Sequence, residues 1–224
     1  MTLVPDIPAG VFGHSQGGWV VLEALRMAAA GTEVLRPAFG VTSSGPGVTT
    51  ADQERFAAHQ DPRALALDDA ERDLALATAL GVIGLFEAGA SHEALTSWAA
   101  EPSNARGVEL AQRVFGAELP DAGLWDHFVR LARFDPVPAM EAIDVPLLAV
   151  FGAVDVVTPV ESSVCALRTH VAPEHLEVAV LEGGDHRLRD HERAGFVPGY
   201  PDVVIEFISR VSGRGRTPDR GWRA

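Results

Sequence analysis

The chain has no lysine, one cysteine and one tyrosine among its 224 residues. Because Cys165 stands alone, no disulfide can form within the chain, which favours a reducing, cytoplasmic setting. The apolar run at residues 74–86 is too short to cross the ~30 Å core of a bilayer. The first ten residues lack the basic and apolar regions of a signal peptide. We therefore expect a cytoplasmic protein that does not enter a membrane.

Positive charge is also scarce, since 18 arginines stand against 31 acidic residues and give a formal net charge of −13. Such a surface repels phosphate backbones and anionic lipid headgroups, so neither nucleic acid nor a membrane surface is an expected partner. The exception is residues 212–224, with four arginines and one aspartate, which we interpret as a flexible basic tail. A basic arm for an acidic partner is the alternative.

What the sequence does contain is an alternation of short strand-like and helical runs, typical of a parallel α/β sheet. The predicted strands are residues 10–13, 34–41, 145–151 and 176–181. Helices are predicted over residues 16–30, from Thr158 to about His170, and over residues 200–211. At the second helix, Thr158 is the predicted N-cap, with Pro159 at the first helical position and Glu161 completing a capping box.

Residues 50–133 differ because they carry helical signals only. Helix starts are predicted at Asp68, Ser91, Ser103 and Pro120. We interpret this block as a helical cap inserted between two strands, with a plain helical subdomain as the alternative. The expected organisation is thus a core of residues 1–49 and 134–211, an insertion of residues 50–133, and the tail.

The sequence GHSQGG at residues 13–18 contains GxSxG between a predicted strand and a predicted helix. This is the context of a nucleophile elbow, in which a serine occupies a strained turn and its flanking glycines, Gly13 and Gly17, leave room for strand and helix to approach. Ser15 is then the candidate nucleophile. The backbone N–H of Gln16, at the positive end of the helix, is the candidate oxyanion donor. A plain Gly-Ser-Gly turn is the alternative.

A serine nucleophile needs a histidine base and an orienting carboxylate. His186 is the best placed of eight histidines, because it follows the last predicted strand in a glycine-rich loop, where catalytic groups gather in open α/β sheets. His191 is the reserve candidate. Asp155 follows the strand at residues 145–151 by the same logic, and Asp185 is its rival. His14, inside the elbow, is assigned to packing or to the pocket floor.

The order Ser15, Asp155, His186 is that of the α/β-hydrolase arrangement. With the stretches FGHSQGGW (12–19), SSGPGVT (43–49), GGDHRL (183–188) and residues 134–163 and 196–208, the chain resembles bacterial α/β-hydrolase-fold proteins of the serine-hydrolase, esterase and S33-peptidase-like group. The resemblance implies Ser15 as nucleophile, His186 as base and Asp155 as its partner. It also implies an ester-like acyl substrate of small-molecule size. No metal or organic cofactor is expected, because the sequence has no GxGxxG, no P-loop and no His/Cys cluster with metal-binding spacing. Thioester and amide substrates stay open, and the oligomeric state is not predicted.

Two features depart from that group. Arg187 stands where such proteins often have glycine, and it either favours an anionic substrate or points to solvent. Only fourteen residues precede Ser15, whereas the resemblance implies four further strands and a loop with the second oxyanion donor. We therefore expect an N-terminal portion of about 100 residues to be missing. The alternative function is a truncated hydrolase without activity, serving as a fragment or a binding or structural protein.

Overall fold

A computed structural model describes residues 8–31, 36–115, 118–190 and 195–213. Within these ranges the chain divides into two compact units. The sheet unit comprises the described residues up to Gly47 and from Pro136 onward, and the helical unit is Val48–Asp135. Residues 34 and 35 of the second predicted strand, His191 and residues 214–224 of the predicted tail lie outside the described ranges.

The sheet of the sheet unit has four parallel strands in the order β1-β2-β3-β4. They are β1 Val11–His14, β2 Gly40–Ser43, β3 Leu147–Gly152 and β4 Leu176–Leu181. His14 pairs with Ser43, and Ser43 with Val150, so the carboxyl ends of three neighbouring strands meet at one edge. The predicted parallel α/β class is confirmed.

Nine helices occur in the described parts of the chain. In chain order they are α1 Gly17–Ala29, α2 Thr50–Gln60, α3 Asp69–Glu87, α4 His92–Ala100, α5 Pro102–Phe115, α6 Ala122–Ala132, α7 Val137–Glu141, α8 Val160–His170 and α9 Tyr200–Val211. Short 3₁₀ turns add Pro62–Ala66 and Pro173–His175. None of the helices in these ranges is both long and apolar enough to cross a bilayer.

Helices cover both faces of the sheet. Strand β3 is buried along its whole length, as its almost unbroken apolar sequence requires. Its side chains alternate, so Phe151 packs with α1, α7 and α8, whereas Val150 packs with α9 on the opposite face. The apolar cluster on the Phe151 face includes Leu22 of α1 and Leu167 of α8, and the cluster on the Val150 face includes Phe207 of α9.

The helical unit has its own apolar clusters. One surrounds Trp125, which is completely buried and whose indole N–H donates to the Ala90 carbonyl at 2.8 Å. The other surrounds Leu110, which is also completely buried. Four of its helices begin at capping side chains that accept a backbone N–H three residues on: Thr49, Asp68, Ser91 and Asp121.

The predicted helix starts at Asp68 and Ser91 are confirmed as N-caps. Helix α5 begins at Pro102, one residue before the predicted Ser103, and α6 begins after Asp121 instead of at Pro120. Helix α2 lies at the start of the block predicted to be helical, but the sequence predicts no separate start for it, because it shows no clear apolar stripe.

The second strand is shorter than predicted and ends later. It runs Gly40–Ser43, whereas residues 36–39 are not strand. Pro37 cannot donate a backbone hydrogen bond to a sheet ladder, which opposes strand structure at that point. Thr42 and Ser43 lie beyond the predicted strand, yet both are buried and pair with neighbours on either side.

The predicted cap of α8 is wrong. The helix begins at Val160 with Pro159 as N-cap, and no side chain caps it. The Thr158 hydroxyl instead donates to the Ser44 carbonyl at 3.0 Å, and its backbone N–H donates to Asp155. The helix does end at His170.

Candidate active site

Ser15 occupies a sharp turn between β1 and α1. Its φ of 55° lies in the left-handed region, which costs a non-glycine residue on the order of 1 kcal/mol or more. Two backbone hydrogen bonds fix the turn: the Ser15 N–H donates to the Ser43 carbonyl at 2.9 Å, and the Gly18 N–H donates to the Ser15 carbonyl at 2.8 Å. Gln16 is the N-cap of α1, so its backbone belongs to the positive end of that helix.

Glycine is needed at two positions of this turn. A Cβ on Gly13 would lie 2.0 Å from the Gly17 carbonyl oxygen, and one on Gly18 would lie 2.5 Å from the Cα of Gly45. A Cβ on Gly17 would meet nothing within 4 Å. The expectation that Gly17 makes room for the helix is therefore wrong. The close approach at this end of the turn is between the Gly17 carbonyl and Gly13, so Gly13 is the residue that must lack a side chain. Gly18 allows α1 to pack closely on the backbone of Gly45.

The loops after β3 and β4 are joined through their backbones. A Cβ on Gly152 would lie 2.2 Å from the Gly184 carbonyl oxygen, so only glycine permits the approach. The same carbonyl accepts the Val154 N–H at 2.9 Å. Asp155 follows one side of this junction and His186 the other, so the junction sets their separation.

The three predicted side chains Ser15, His186 and Asp155 come together in one line. His186 Nε2 lies 2.9 Å from Ser15 Oγ, and His186 Nδ1 lies 2.9 Å from Asp155 Oδ2 and 3.1 Å from Oδ1. The Asp155 side chain is fully buried and the His186 side chain is 17% exposed. Since the buried carboxylate can only accept, the network assigns the proton to Nδ1 and leaves Nε2 free to accept the serine proton.

Asp155 is itself fixed by its own loop. Its Oδ1 accepts the backbone N–H groups of Val157 and Thr158, both at 2.8 Å. Hydrogen bonds of this kind lock the orientation of the carboxylate. The acid therefore meets the histidine ring from a fixed position.

The rival carboxylate faces elsewhere. Asp185 Oδ1 accepts the backbone N–H groups of Arg187 and Arg189, both at 2.8 Å, and so closes the turn that carries His186. The side chain of Arg187 is exposed.

His14 stands beside His186, with ring centroids 5.1 Å apart and planes tilted by 49°. Burial lowers the pKa of His14 from its ordinary value of 6.5, and the neighbouring His186 lowers it further. A backbone hydrogen bond at Ser43 and the charge of Asp155 act in the opposite direction. The lowered pKa favours the neutral form of His14 beside the ring that would take up a proton.

Two residues near the site were missed from the sequence. Tyr200, at the start of α9, donates its hydroxyl to Ser43 Oγ at 3.0 Å, and no sequence pattern indicated this contact. Thr158 Oγ1 lies 3.4 Å from His186 Nδ1, although its pattern had indicated a helix cap. Among the described residues, no group of three metal-binding side chains is found.

No family model and no curated protein matches the chain. Solved structures do match. BpoC from Mycobacterium tuberculosis H37Rv is 20% identical, with a TM-score of 0.48 and coverage of 92% of this chain and 68% of that chain. The monoacylglycerol lipase of Paleococcus ferrophilus is 17% identical, with a TM-score of 0.45 and coverage of 92% of this chain and 69% of that chain. A thermophilic esterase from Thermogutta terrifontis is 16% identical, with a TM-score of 0.48 and coverage of 92% of this chain and 66% of that chain.

The chain thus spans 66–69% of the length of these three solved structures. The fold is defined by the chain's own elements. Those elements are the parallel sheet, the strand–turn–helix around Ser15, and the chain order of serine, aspartate and histidine. They are the elements of the α/β-hydrolase fold.

Proposed function

We propose that this protein is a serine hydrolase that cleaves carboxylic ester-like acyl substrates of small-molecule size. The observation that carries the proposal is the continuous line of 2.9 Å contacts from Ser15 Oγ through the two ring nitrogens of His186 to Asp155. A serine hydroxyl is a weak nucleophile until an adjacent base takes its proton, and this line supplies the base together with its orienting acid.

In the first half-reaction, Ser15 Oγ attacks the substrate carbonyl carbon while His186 Nε2 takes the hydroxyl proton. Collapse of the tetrahedral intermediate breaks the bond to the alkoxide, which leaves with that proton. The acyl group then remains as an ester on Ser15. Asp155 holds the ring and stabilises the imidazolium.

In the second half-reaction, His186 takes a proton from water, which attacks the acyl-serine and releases the carboxylic acid. The serine recovers its proton from Nε2. The Gln16 N–H, at the start of α1, is assigned to the oxyanion in both steps, and one such donor is worth about 10²–10³ in rate. Every proton transfer uses side chains of this chain, so the proposal needs no cofactor.

Hydrolysis of short p-nitrophenyl esters tests the proposal. We expect wild-type protein to release p-nitrophenol and Ser15→Ala to lose at least ~10³ of the rate, because the acyl-enzyme cannot form. Ser162→Ala, which removes an exposed serine of α8, is the matched control and should retain wild-type activity. Equal rates for wild type and Ser15→Ala would reject Ser15 as the nucleophile.

A fluorophosphonate identifies the modified residue directly. We expect a single phosphonyl adduct on the peptide that contains Ser15, absent from Ser15→Ala and His186→Asn. A protein that neither hydrolyses esters nor forms this adduct, although it unfolds cooperatively, would instead be the inactive fragment or binding protein. A panel of ester, thioester and amide substrates then ranks the leaving groups.

A further inference from the structure

Thr158 belongs to the hydrogen-bond network of His186. Its side chain is completely buried, and its hydroxyl donates to the Ser44 carbonyl at 3.0 Å. The same oxygen lies 3.4 Å from His186 Nδ1, beside the two shorter contacts from Asp155. A hydroxyl has one proton, which it donates here in the hydrogen bond to the Ser44 carbonyl. A lone pair of Oγ1 therefore faces the Nδ1 proton.

Two contacts hold Thr158 in that position. Its backbone N–H donates to Asp155 Oδ1 at 2.8 Å, which ties it to the acid. Its hydroxyl partner, Ser44, has a left-handed φ of 48°, and the Ser44 N–H donates to the Val150 carbonyl at 2.7 Å. A strained backbone at the edge of the sheet is kept only where its surroundings over-determine it.

The helix-capping role that the sequence suggested does not account for this threonine. Helix α8 begins two residues later, and no side chain caps it. The remaining structural explanation is a simple tie between the loop after β2 and the start of α8. That tie would need the bond to Ser44 but would not need the oxygen to face the histidine.

We propose that Thr158 is a positioning residue. Its hydroxyl oxygen accepts a second, longer hydrogen bond from the Nδ1–H of His186, which also donates to Asp155. The second acceptor limits rotation of the ring and adds stabilisation when the ring carries the serine proton. The expected effect on reaction rate rests on the proposed function. The hydrogen bond from Nδ1 to Thr158 does not depend on that function, so it is measured separately by NMR.

The test compares Thr158→Val, which keeps the shape and removes the hydroxyl, with Thr158→Ser, which keeps the hydroxyl. The readouts are the low-field NMR resonance of the Nδ1 proton, assigned by its absence in His186→Asn, and the rate of phosphonylation of Ser15. Thr169→Val is the matched control, because the Thr169 hydroxyl on the exposed side of α8 donates to the Cys165 carbonyl at 2.8 Å.

We expect Thr158→Val to shift the Nδ1 resonance upfield and to slow phosphonylation about 3- to 10-fold, the effect of one modest hydrogen bond. Thr158→Ser should restore both readouts, and Thr169→Val should resemble wild type. Should Thr158→Val fail to fold, Thr158→Ala carries the same two expectations.

An unchanged Nδ1 resonance in a folded variant without the hydroxyl would overturn the proposal, even if its melting temperature fell, because only the structural tie would then remain. A wild-type protein that fluorophosphonate does not label would reject the hydrolase function. The NMR comparison would still decide the role of Thr158, so the two failures are distinguishable.

Discussion

At the scale of single residues, two aspartates of the candidate site have different roles. Asp185 precedes His186 in the sequence, whereas Asp155, 30 positions before Asp185, contacts His186 in the fold. Asp155 is fully buried and faces the His186 ring, whereas Asp185 accepts backbone N–H groups of its own turn. Sequence proximity alone would favour Asp185. The structure makes it a loop-closing residue because its carboxylate is already occupied by two donors.

Asp155→Asn should lower kcat for p-nitrophenyl ester hydrolysis by about 10³–10⁴, because an amide at this position no longer selects the Nδ1–H tautomer of His186. Asp185→Asn is the matched control and should cost less than about 10-fold, since the two backbone N–H groups of its turn can still donate to the amide oxygen. Steady-state kinetics of the two variants provide the measurement. A larger loss in Asp185→Asn than in Asp155→Asn would reverse the assignment of the acid.

Glu54, in α2, provides a test of pH dependence. Burial raises its pKa above the ordinary 4.5, so the folded protein binds this proton more tightly than the unfolded chain does. Burial of the ionised Glu54 carboxylate lowers the free energy of unfolding. This unfavourable contribution is absent below the ordinary pKa and grows as pH rises through the raised value. Glu54→Gln should therefore raise the free energy of unfolding at pH 7, with the gain vanishing near pH 4.

Urea unfolding of wild type and Glu54→Gln at both pH values measures that difference. Glu206→Gln, which neutralises an exposed carboxylate of α9, is the control for the change in net charge. A gain in stability of Glu54→Gln that is the same at both pH values would contradict burial as the cause.

The sequence allowed the three central side chains of the site to be chosen because each follows a predicted strand, and parallel strands bring their carboxyl ends to one edge. Thr158 could not be found in this way. Its Thr-Pro-Val-Glu context matches a helix start, and only the fold brings Ser44 close enough to compete for the hydroxyl.

At the scale of elements, the turn between β1 and α1 makes unequal demands on its three glycines. Gly13→Ala should destabilise the protein by more than about 2 kcal/mol, because its Cβ would overlap the Gly17 carbonyl. Gly17→Ala should be neutral or stabilising by up to ~1 kcal/mol, because the position is helical and its surroundings are open. Chemical denaturation of the two variants gives the comparison.

Gly18→Ala provides a second comparison within the same helix. Its Cβ would meet backbone at Gly45, so it should behave like Gly13→Ala although it lies beside Gly17. Similar stabilities for Gly17→Ala and Gly18→Ala would contradict the close packing of α1 on the loop after β2.

The elements differ in how far the sequence could predict them. Helix α9 begins and ends where its apolar spacing predicts, and β4 likewise matches its predicted bounds. Strand β2 was misplaced because its buried residues include a glycine, a threonine and a serine, whose burial depends on neighbouring strands and not on their own hydropathy. Helix α2 lies in the block predicted to be helical, but its polar sequence does not mark its own start and end.

At the scale of the whole molecule, the helical unit is expected to fold by itself. Its clusters around Trp125 and Leu110 are built from its own residues, and four of its helices carry capping side chains. A protein comprising residues 48–135 should show helical circular dichroism and a cooperative thermal transition.

Trp125→Ala in that isolated segment should abolish the cooperative transition, because a completely buried indole and its bond to Ala90 are removed at a cost of about 3–5 kcal/mol. Trp98→Ala, at a half-buried position of α4, should be less harmful. A segment that lacks helical signal would show that the unit depends on the sheet unit for its structure.

The insertion of the helical unit between β2 and β3 also has a kinetic consequence. Pairing these strands in an unfolded chain closes a loop of about 100 residues, whereas the bond from the Thr50 hydroxyl to the Leu131 carbonyl brings the two ends of the helical unit together. A helical unit that folds first shortens the loop to about 25 residues and saves about 1 kcal/mol of closure entropy. Ser15 would then meet its acid and base late in folding, after the most local part of the chain has formed its structure.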